Sequence, residues 1–313
     1  MDQRGSNSRR ITSDLILVFT AIVWGGGFVA QRMASSHLGF FSFNGIRFLL
    51  AGLVMVPFVI HRFKNTPRNL IWILPAGVLL FAASALQQAG IKTTTAGAAG
   101  FITGVYVVLV PLLLFLVWKQ KTKRIVWIAA LAALGGTYLL STGGARLKPS
   151  AGDMILLAGA LLWAFHVIIV GMAVKKMDVF VFSVGQFILC GILHLMFSTF
   201  VEPATVEGIK GAWGAILYGG LGSVAIGFTL QAVGQRHAPA ADAALILSIE
   251  SVFAAIFGAL ILTERMNWVQ ITGCVVIMLA IIAAQLPLIQ SAKKPGGDFS
   301  DPKTLFLDTP PGL

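Results

Sequence analysis

The chain has 313 residues, of which 57% are hydrophobic and only 11% charged, far from the roughly 25% charged of an ordinary soluble domain. That balance excludes a water-soluble enzyme or binding module and predicts a protein embedded in a membrane. The formal net charge of +11 does not point to nucleic acid. The basic residues gather in short connections between apolar stretches, where topology and anionic headgroups account for them, and few remain to neutralise phosphates.

About 20 helical residues cross the roughly 30 Å of hydrocarbon in a bilayer. Residues 1–13 are polar and run, without a small-residue cleavage site, into the first apolar stretch, so the first helix is predicted to be retained rather than removed as a signal. Spans are predicted at 14–34, 40–61, 70–90, 95–118, 125–142, 151–174, 180–200, 213–234, 240–262 and 268–290. Residues 291–313, with Lys293 and Lys294 followed by Pro, Gly and Asp, have the composition of a short disordered tail. The fold class is therefore an all-α membrane protein with ten transmembrane helices.

Polar and aromatic residues at mid-membrane depth mark a pathway, because they are unfavourable against lipid. In the first helix Trp24 lies far below the headgroup level that tryptophan prefers. The Gly25-Gly26-Gly27 run after it weakens the helix by roughly 1 kcal/mol per residue, which suits a hinge or tight packing. Arg47 shares a face of the second helix with Asn44 and either reaches the surface or turns inward to a carboxylate. Ser84, Gln87 and Gln88 form a polar stripe in the third. Gly97, Gly100 and Gly104 make one side of the fourth small enough for close approach, ahead of Tyr106 and Pro111. The sixth helix carries Trp163 at the depth of Trp24, with His166 three residues on, and the seventh carries His194, read as structural. Ser223, Gly227, Gln231 and Gly234 recur at near-helical spacing in the eighth.

Glu250, near the middle of the ninth helix, costs about 2.5–3.5 kcal/mol on insertion scales and so needs a partner, a proton or a wet cavity. It binds an amine or cationic group, exchanges a proton during transport, or is a structural carboxyl bonded between helices. Trp24 and Trp163 read as walls of a cavity for an apolar or aromatic substrate, against the alternative of buried packing. Gln88, Gln231 and His166 either line the pathway or join helices. Cys190 and Cys274 both fall inside spans without nearby ligands, so neither a disulfide nor a metal site is expected.

The segment from Asp14 to Trp24 recurs 139 residues later as Asp153 to Trp163, and in the same register Phe43 to Gly52 recurs as Phe182 to Gly191. Residues 14–142 and 151–290 are therefore two repeats of five helices each. An odd number of helices inverts the second repeat relative to the first. Equivalent connections support this: 62–69 carries three positive charges, whereas 201–212 carries Glu202, Glu207 and Lys210, and Lys119-Gln-Lys-Thr-Lys-Arg124 is replaced by Thr263-Glu264-Arg265. Of the 23 Lys and Arg, 16 fall on one side and five on the other (Lys92, Arg146, Lys148, Lys210 and Arg265), which predicts cytoplasmic termini, including the segment 1–13 and the tail. Inverted repeats place a substrate site at their interface, near the midplane.

Together these residues resemble the EamA-type transporters of the drug/metabolite transporter superfamily. The resemblance covers residues 14–290. It rests on the Trp-centred first helix of each half, on Arg47 and its counterpart Gln186, on Phe101-Ile-Thr-Gly-Val-Tyr106-Val-Val-Leu-Val-Pro111, and on the run from Leu247 through Glu250 to Glu264. It implies two inverted five-helix units around a central cavity lined mainly by helices 1, 3, 4, 6, 8 and 9, with Tyr106 projecting into it. It also implies export of small metabolites or amino acids across a bacterial inner membrane. The first half departs from the pattern in having Lys119 near the position equivalent to Glu264, which favours a plain loop role for that glutamate.

No Gly-x-Ser nucleophile, His-Glu-x-x-His zinc motif or Cys-x-x-Cys pair occurs, and no Gly-Lys-Ser/Thr phosphate loop that could hydrolyse ATP. The expected function is a secondary transporter, not an enzyme and without cofactor, that exports small metabolites such as amino acids or amphipathic amines by alternating access. Its expected partners are the substrate, membrane lipid and, through Glu250, protons. A passive channel or facilitator is the alternative, and the sequence leaves the substrate's identity, the energy source and the oligomeric state open.

Overall fold

The computed structural model describes residues 3–63, 69–93, 96–145 and 151–293. The tail from residue 294, and Lys64, Arg68, Arg146 and Lys148 of the charge count, lie outside the described residues. Ten helical stretches are long and apolar enough to cross a membrane, and no strand occurs among the described residues.

The helices are α1 (Gln3–Ala34), α2 (Phe40–Phe63), α3 (Ile73–Ile91), α4 (Ala96–Gly104), α5 (Tyr106–Leu116), α6 (Arg124–Thr142), α7 (Ala151–Ala173), α8 (Val179–Val201), α9 (Val206–Leu217), α10 (Thr229–Gln235), α11 (Ala240–Leu247), α12 (Glu250–Ile261) and α13 (Trp268–Lys293). A π-helical stretch, Tyr218–Phe228, joins α9 to α10 within the eighth span. The two repeats are inverted relative to each other and interlock rather than sitting side by side. Thus α2 packs on α8, α3 on α7 and α1 on α12, while α6 and α13 pair with each other. That last pair meets through glycine: a Cβ on Gly136 would stand 2.8 Å from the Gly273 carbonyl oxygen, so a larger residue would force the helices apart.

Four spans differ from the sequence expectation, in three ways. The first helix starts at Gln3 rather than Asp14, because its polar turns are held by Arg10, whose Nε reaches both carboxylate oxygens of Asp14 at 2.9 and 3.1 Å. The eighth span starts at Val206 rather than 213, where the Thr205 hydroxyl accepts the Gly208 N–H at 3.0 Å as an N-cap.

The third difference is that the fourth and ninth spans are broken in mid-membrane, at Val105 and at Ser248-Ile249. At these points the ladder tightens to i→i−3 bonds, such as Val108 N–H to Val105 O and Ile249 N–H to Ile246 O. In the ninth span the Ser248 hydroxyl donates to Leu245 O at 2.7 Å and the Ser251 hydroxyl to Ser248 O at 2.8 Å, giving hydrogen bonds to carbonyls around the break. Both spans end alike. Lys119 and Thr263 take φ near +55°, and the next N–H closes back to Leu114 O and Gly258 O respectively. Glu264 supplies one of those N–H groups, a loop role.

Candidate functional site at the centre of the bundle

The breaks in the fourth and ninth spans define where the two repeats meet. Tyr106 opens α5 and Glu250 opens α12, and the Tyr106 hydroxyl donates to Glu250 Oε1 at 3.3 Å. From the second half of the eighth span onward the repeat register is 144 residues rather than 139: Leu86-Gln87 and Gly90 align with Leu230-Gln231 and Gly234, Leu114 with Gly258, and Lys119 with Thr263. In that register Tyr106 and Glu250 are repeat equivalents. Two equivalent residues that touch must straddle the pseudo-two-fold axis, which in an inverted repeat lies in the membrane plane. Their contact therefore marks the centre of the molecule in depth as well as in plan.

Around this contact lies a cavity whose wall includes four pairs of repeat equivalents: Trp24 with Trp163, Phe28 with Val167, Gln87 with Gln231, and Tyr106 with Glu250. The space open to the centre of a water molecule is about 40 Å³, room for roughly three waters and too little for a metabolite. Phe228, at the end of the π-helical stretch, is the hub of an aromatic wall. Its ring centroid is 4.6 Å from that of Trp24 and 5.8 Å from that of Trp163, the latter stacked. The Trp24 indole N–H donates to Ser223 O at 3.1 Å, using a carbonyl inside the π-helical stretch.

The scaffold is close to symmetric but its charges are not. Arg47 lines the cavity, whereas its equivalent, Gln186, bonds His166 Nε2 at 3.0 Å. The Arg47 guanidinium lies over the rings of Phe43 and Phe48, about 5 Å from each. Its Nε donates to Asn44 Oδ1 at 2.9 Å, and Asn44 in turn donates to Ser84 O at 3.0 Å. Neither Arg47 nor Glu250 has an ion-pair partner among the described residues, although both are buried. The wall also presents Thr103 Oγ1, Trp163 Nε1 and both amide atoms of Gln231 without hydrogen-bond partners. A buried group left without any partner costs about 1–3 kcal/mol, so these atoms are available to bond a polar guest.

Of the sequence candidates, Trp24, Tyr106, Trp163, Gln231 and Glu250 meet at this one cavity. Gln88 and His166 do not. Gln88 is about 100° round the helix from Gln87, and its amide donates to Gln31 O at 3.0 Å. His166 is fully buried behind the aromatic wall, with its edge on Trp163 and Phe228. Arg47, Gln31, Gln87 and Phe228 are wall residues that the candidate set lacks. The 144-residue register, readable in the sequence, picks Gln87 as the equivalent of Gln231. Away from the basic end the cavity is closed by Gln87, whose amide donates to Gln31 Oε1 at 3.0 Å, and beyond it by Arg32, which caps Ile91 O and Lys92 O at 2.9 and 3.1 Å. The Gly25-Gly26-Gly27 run does not break α1. A Cβ on Gly25 would stand 2.8 Å from Ala254 N and one on Gly27 2.9 Å from Ser223 Oγ, so the glycines serve close packing.

The family described as EamA-like transporter family matches the chain twice, over residues 11–142 and 150–284. An uncharacterized transporter of Archaeoglobus fulgidus is 31% identical over 284 residues, covering 89% of this chain and 87% of its own length. The uncharacterized transporter YetK of Bacillus subtilis is 24% identical over 281 residues, 84% of each chain. The uncharacterized inner membrane transporter YedA of Escherichia coli strain K12 matches over 148 residues at 26% identity, 46% of this chain and 48% of that one. A solved crystal structure with 16% identity superposes at a TM-score of 0.75, covering 90% of this chain and 98% of the other, a likeness of fold alone.

Proposed function

The chain belongs to the EamA-like transporter family of the drug/metabolite transporter superfamily, and from that premise we propose that it exports a zwitterionic small metabolite, an amino acid with an apolar or aromatic side chain, by alternating access. The observation that carries this reading is the presence of Arg47 and Glu250, each without an ion-pair partner, in one cavity lined from both repeats. Arg47, with its fork of donors, takes the substrate carboxylate. Glu250 takes the ammonium in place of the Tyr106 hydroxyl, and Trp24, Trp163 and Phe228 take the side chain. At its present size of about 40 Å³ the cavity admits such a guest only when the repeats move, which suits a carrier better than a continuous pore. Glu250 is the residue that exchanges substrate amine for a proton, making the transporter a proton antiporter. The basic end faces the cytoplasm of a bacterial inner membrane, with both termini on that side.

Counterflow in proteoliposomes tests this. Preloaded amino acid accelerates uptake of the labelled one in the wild type, whereas a channel shows no such stimulation. Arg47→Gln, which copies its repeat equivalent, raises the KM for amino acids by about thirtyfold or more, the lower end of the 2–5 kcal/mol lost with a buried charged contact. It leaves transport of the decarboxylated amines unchanged. An equal loss for both substrate types removes the assignment of Arg47 to the carboxylate.

A further inference from the structure

At the basic end of the bundle a second cavity, of about 480 Å³, takes Lys121 and Lys123 from the connection between α5 and α6, Lys175 and Lys176 from the turn between α7 and α8, and Arg10 from α1. Asp242 is the one carboxylate on its wall among the described residues, and it is already engaged by Arg10 Nη2 at 2.7 Å. Lys176 lies over the Trp72 ring at 5.3 Å. Among the described residues no carboxylate pairs with Lys121, Lys123 or Lys175. His237, next in sequence to Ala238 of this wall, has its pKa lowered by partial desolvation and then by the Arg236 and Arg9 cations, the latter consistent with positive potential at this end. Topology asks for positive charge in these connections. It does not ask that separate connections aim unpaired ammonium groups into one concavity, where they repel each other unless an anion lies between them.

The rim supplies the rest of the argument. Trp72 follows Leu70 and Ile71, and Ile71 is 75% exposed; Leu114 is followed by Leu116 and Val117, both more than half exposed. A charged group held in the cavity thus has apolar, lipid-facing surface beside it. We propose that this cavity is a binding site for the phosphate headgroup of an anionic phospholipid, held by Lys121, Lys123 and Lys175, with acyl chains over Ile71 and Val117. Basic concavities between membrane helices are suited to such headgroups, and each lysine near an anionic headgroup contributes ~1 kcal/mol.

Native mass spectrometry of the protein released from nanodiscs of equal parts phosphatidylglycerol and phosphatidylcholine tests the site. The wild type retains phosphatidylglycerol over phosphatidylcholine by about fivefold or more, the ratio that ~1 kcal/mol represents. The variant Lys121→Gln/Lys123→Gln/Lys175→Gln loses the preference, Lys121→Arg/Lys123→Arg/Lys175→Arg keeps it, and Lys92→Gln/Lys210→Gln, at the other end, leaves it unchanged. Unaltered thermal melting of the glutamine variant shows that the loss is local. An undiminished preference in that variant overturns the site. Displacement of the lipid by millimolar inorganic phosphate assigns the lysines to a soluble anion and overturns the lipid reading.

Discussion

At mid-membrane a carboxyl and a phenol from equivalent places in two inverted repeats meet at 3.3 Å, and the smallest changes to test are at that contact. Glu250→Gln keeps the shape and a hydrogen-bond acceptor for Tyr106 but removes the exchangeable proton. It abolishes the pH dependence of transport while the purified protein stays folded and monodisperse; a pH profile that survives the substitution removes proton exchange at this residue. Gln87 and Gln88 separate wall from packing. Gln87→Ala lowers transport, whereas Gln88→Ala leaves Gln31 O with the Ser35 N–H alone and lowers stability by about 0.5–1.5 kcal/mol. Uptake rates compared with thermal melting distinguish the two. Sequence reasoning chose Gln88 because a polar stripe does not say which side of a helix faces a cavity. Arg47 was legible only as a choice between surface and interior, and Asn44, which orients it through Ser84, was visible only as a neighbour on the same face.

At the scale of elements, span positions follow from apolar length, which is why eight of the ten predicted spans need only small adjustment at their ends. The breaks at Val105 and Ser248-Ile249 do not follow from it. Both lie inside stretches whose mean hydropathy reads as one uninterrupted span; in the ninth span Ser248 and Ser251 bond nearby carbonyls around the tightened turn, and in both spans helices of the opposing repeat pack against the halves. The Gly25-Gly26-Gly27 run was open to a hinge or a packing reading. Contact with Phe253 and Ala254 at Gly25 favours packing, and Gly25→Val is expected to lower stability by about 1–3 kcal/mol through overpacking against α12. Denaturation of the solubilised variant measures this, and wild-type stability combined with impaired transport returns the run to a hinge.

For the whole molecule, inversion of the repeats has a consequence that needs no substrate. Lys121 and Arg265 are equivalent in the 144-residue register, so the connections that hold them lie on opposite membrane faces. Single cysteines introduced by Lys121→Cys and Glu264→Cys, in a background lacking Cys190 and Cys274, are labelled by an impermeant maleimide from opposite sides. In cells the first is protected and the second reacts. Labelling of both from the same side contradicts the inverted architecture, and reversed labelling contradicts cytoplasmic termini while leaving that architecture intact.

By itself the sequence determined the membrane environment, the number and approximate limits of the spans, the duplication and its inversion, because these depend on apolar length, on the distribution of charge and on register along one chain. Tertiary structure alone decided which polar side chains share a cavity, that Arg47 points inward, that α4–α5 and α11–α12 break where the repeats cross, and that lysines from separate connections converge at the basic end. Each of those depends on which faces of helices distant in sequence are pressed together, and a helix of nearly uniform hydrophobicity carries little signal of the side it will present.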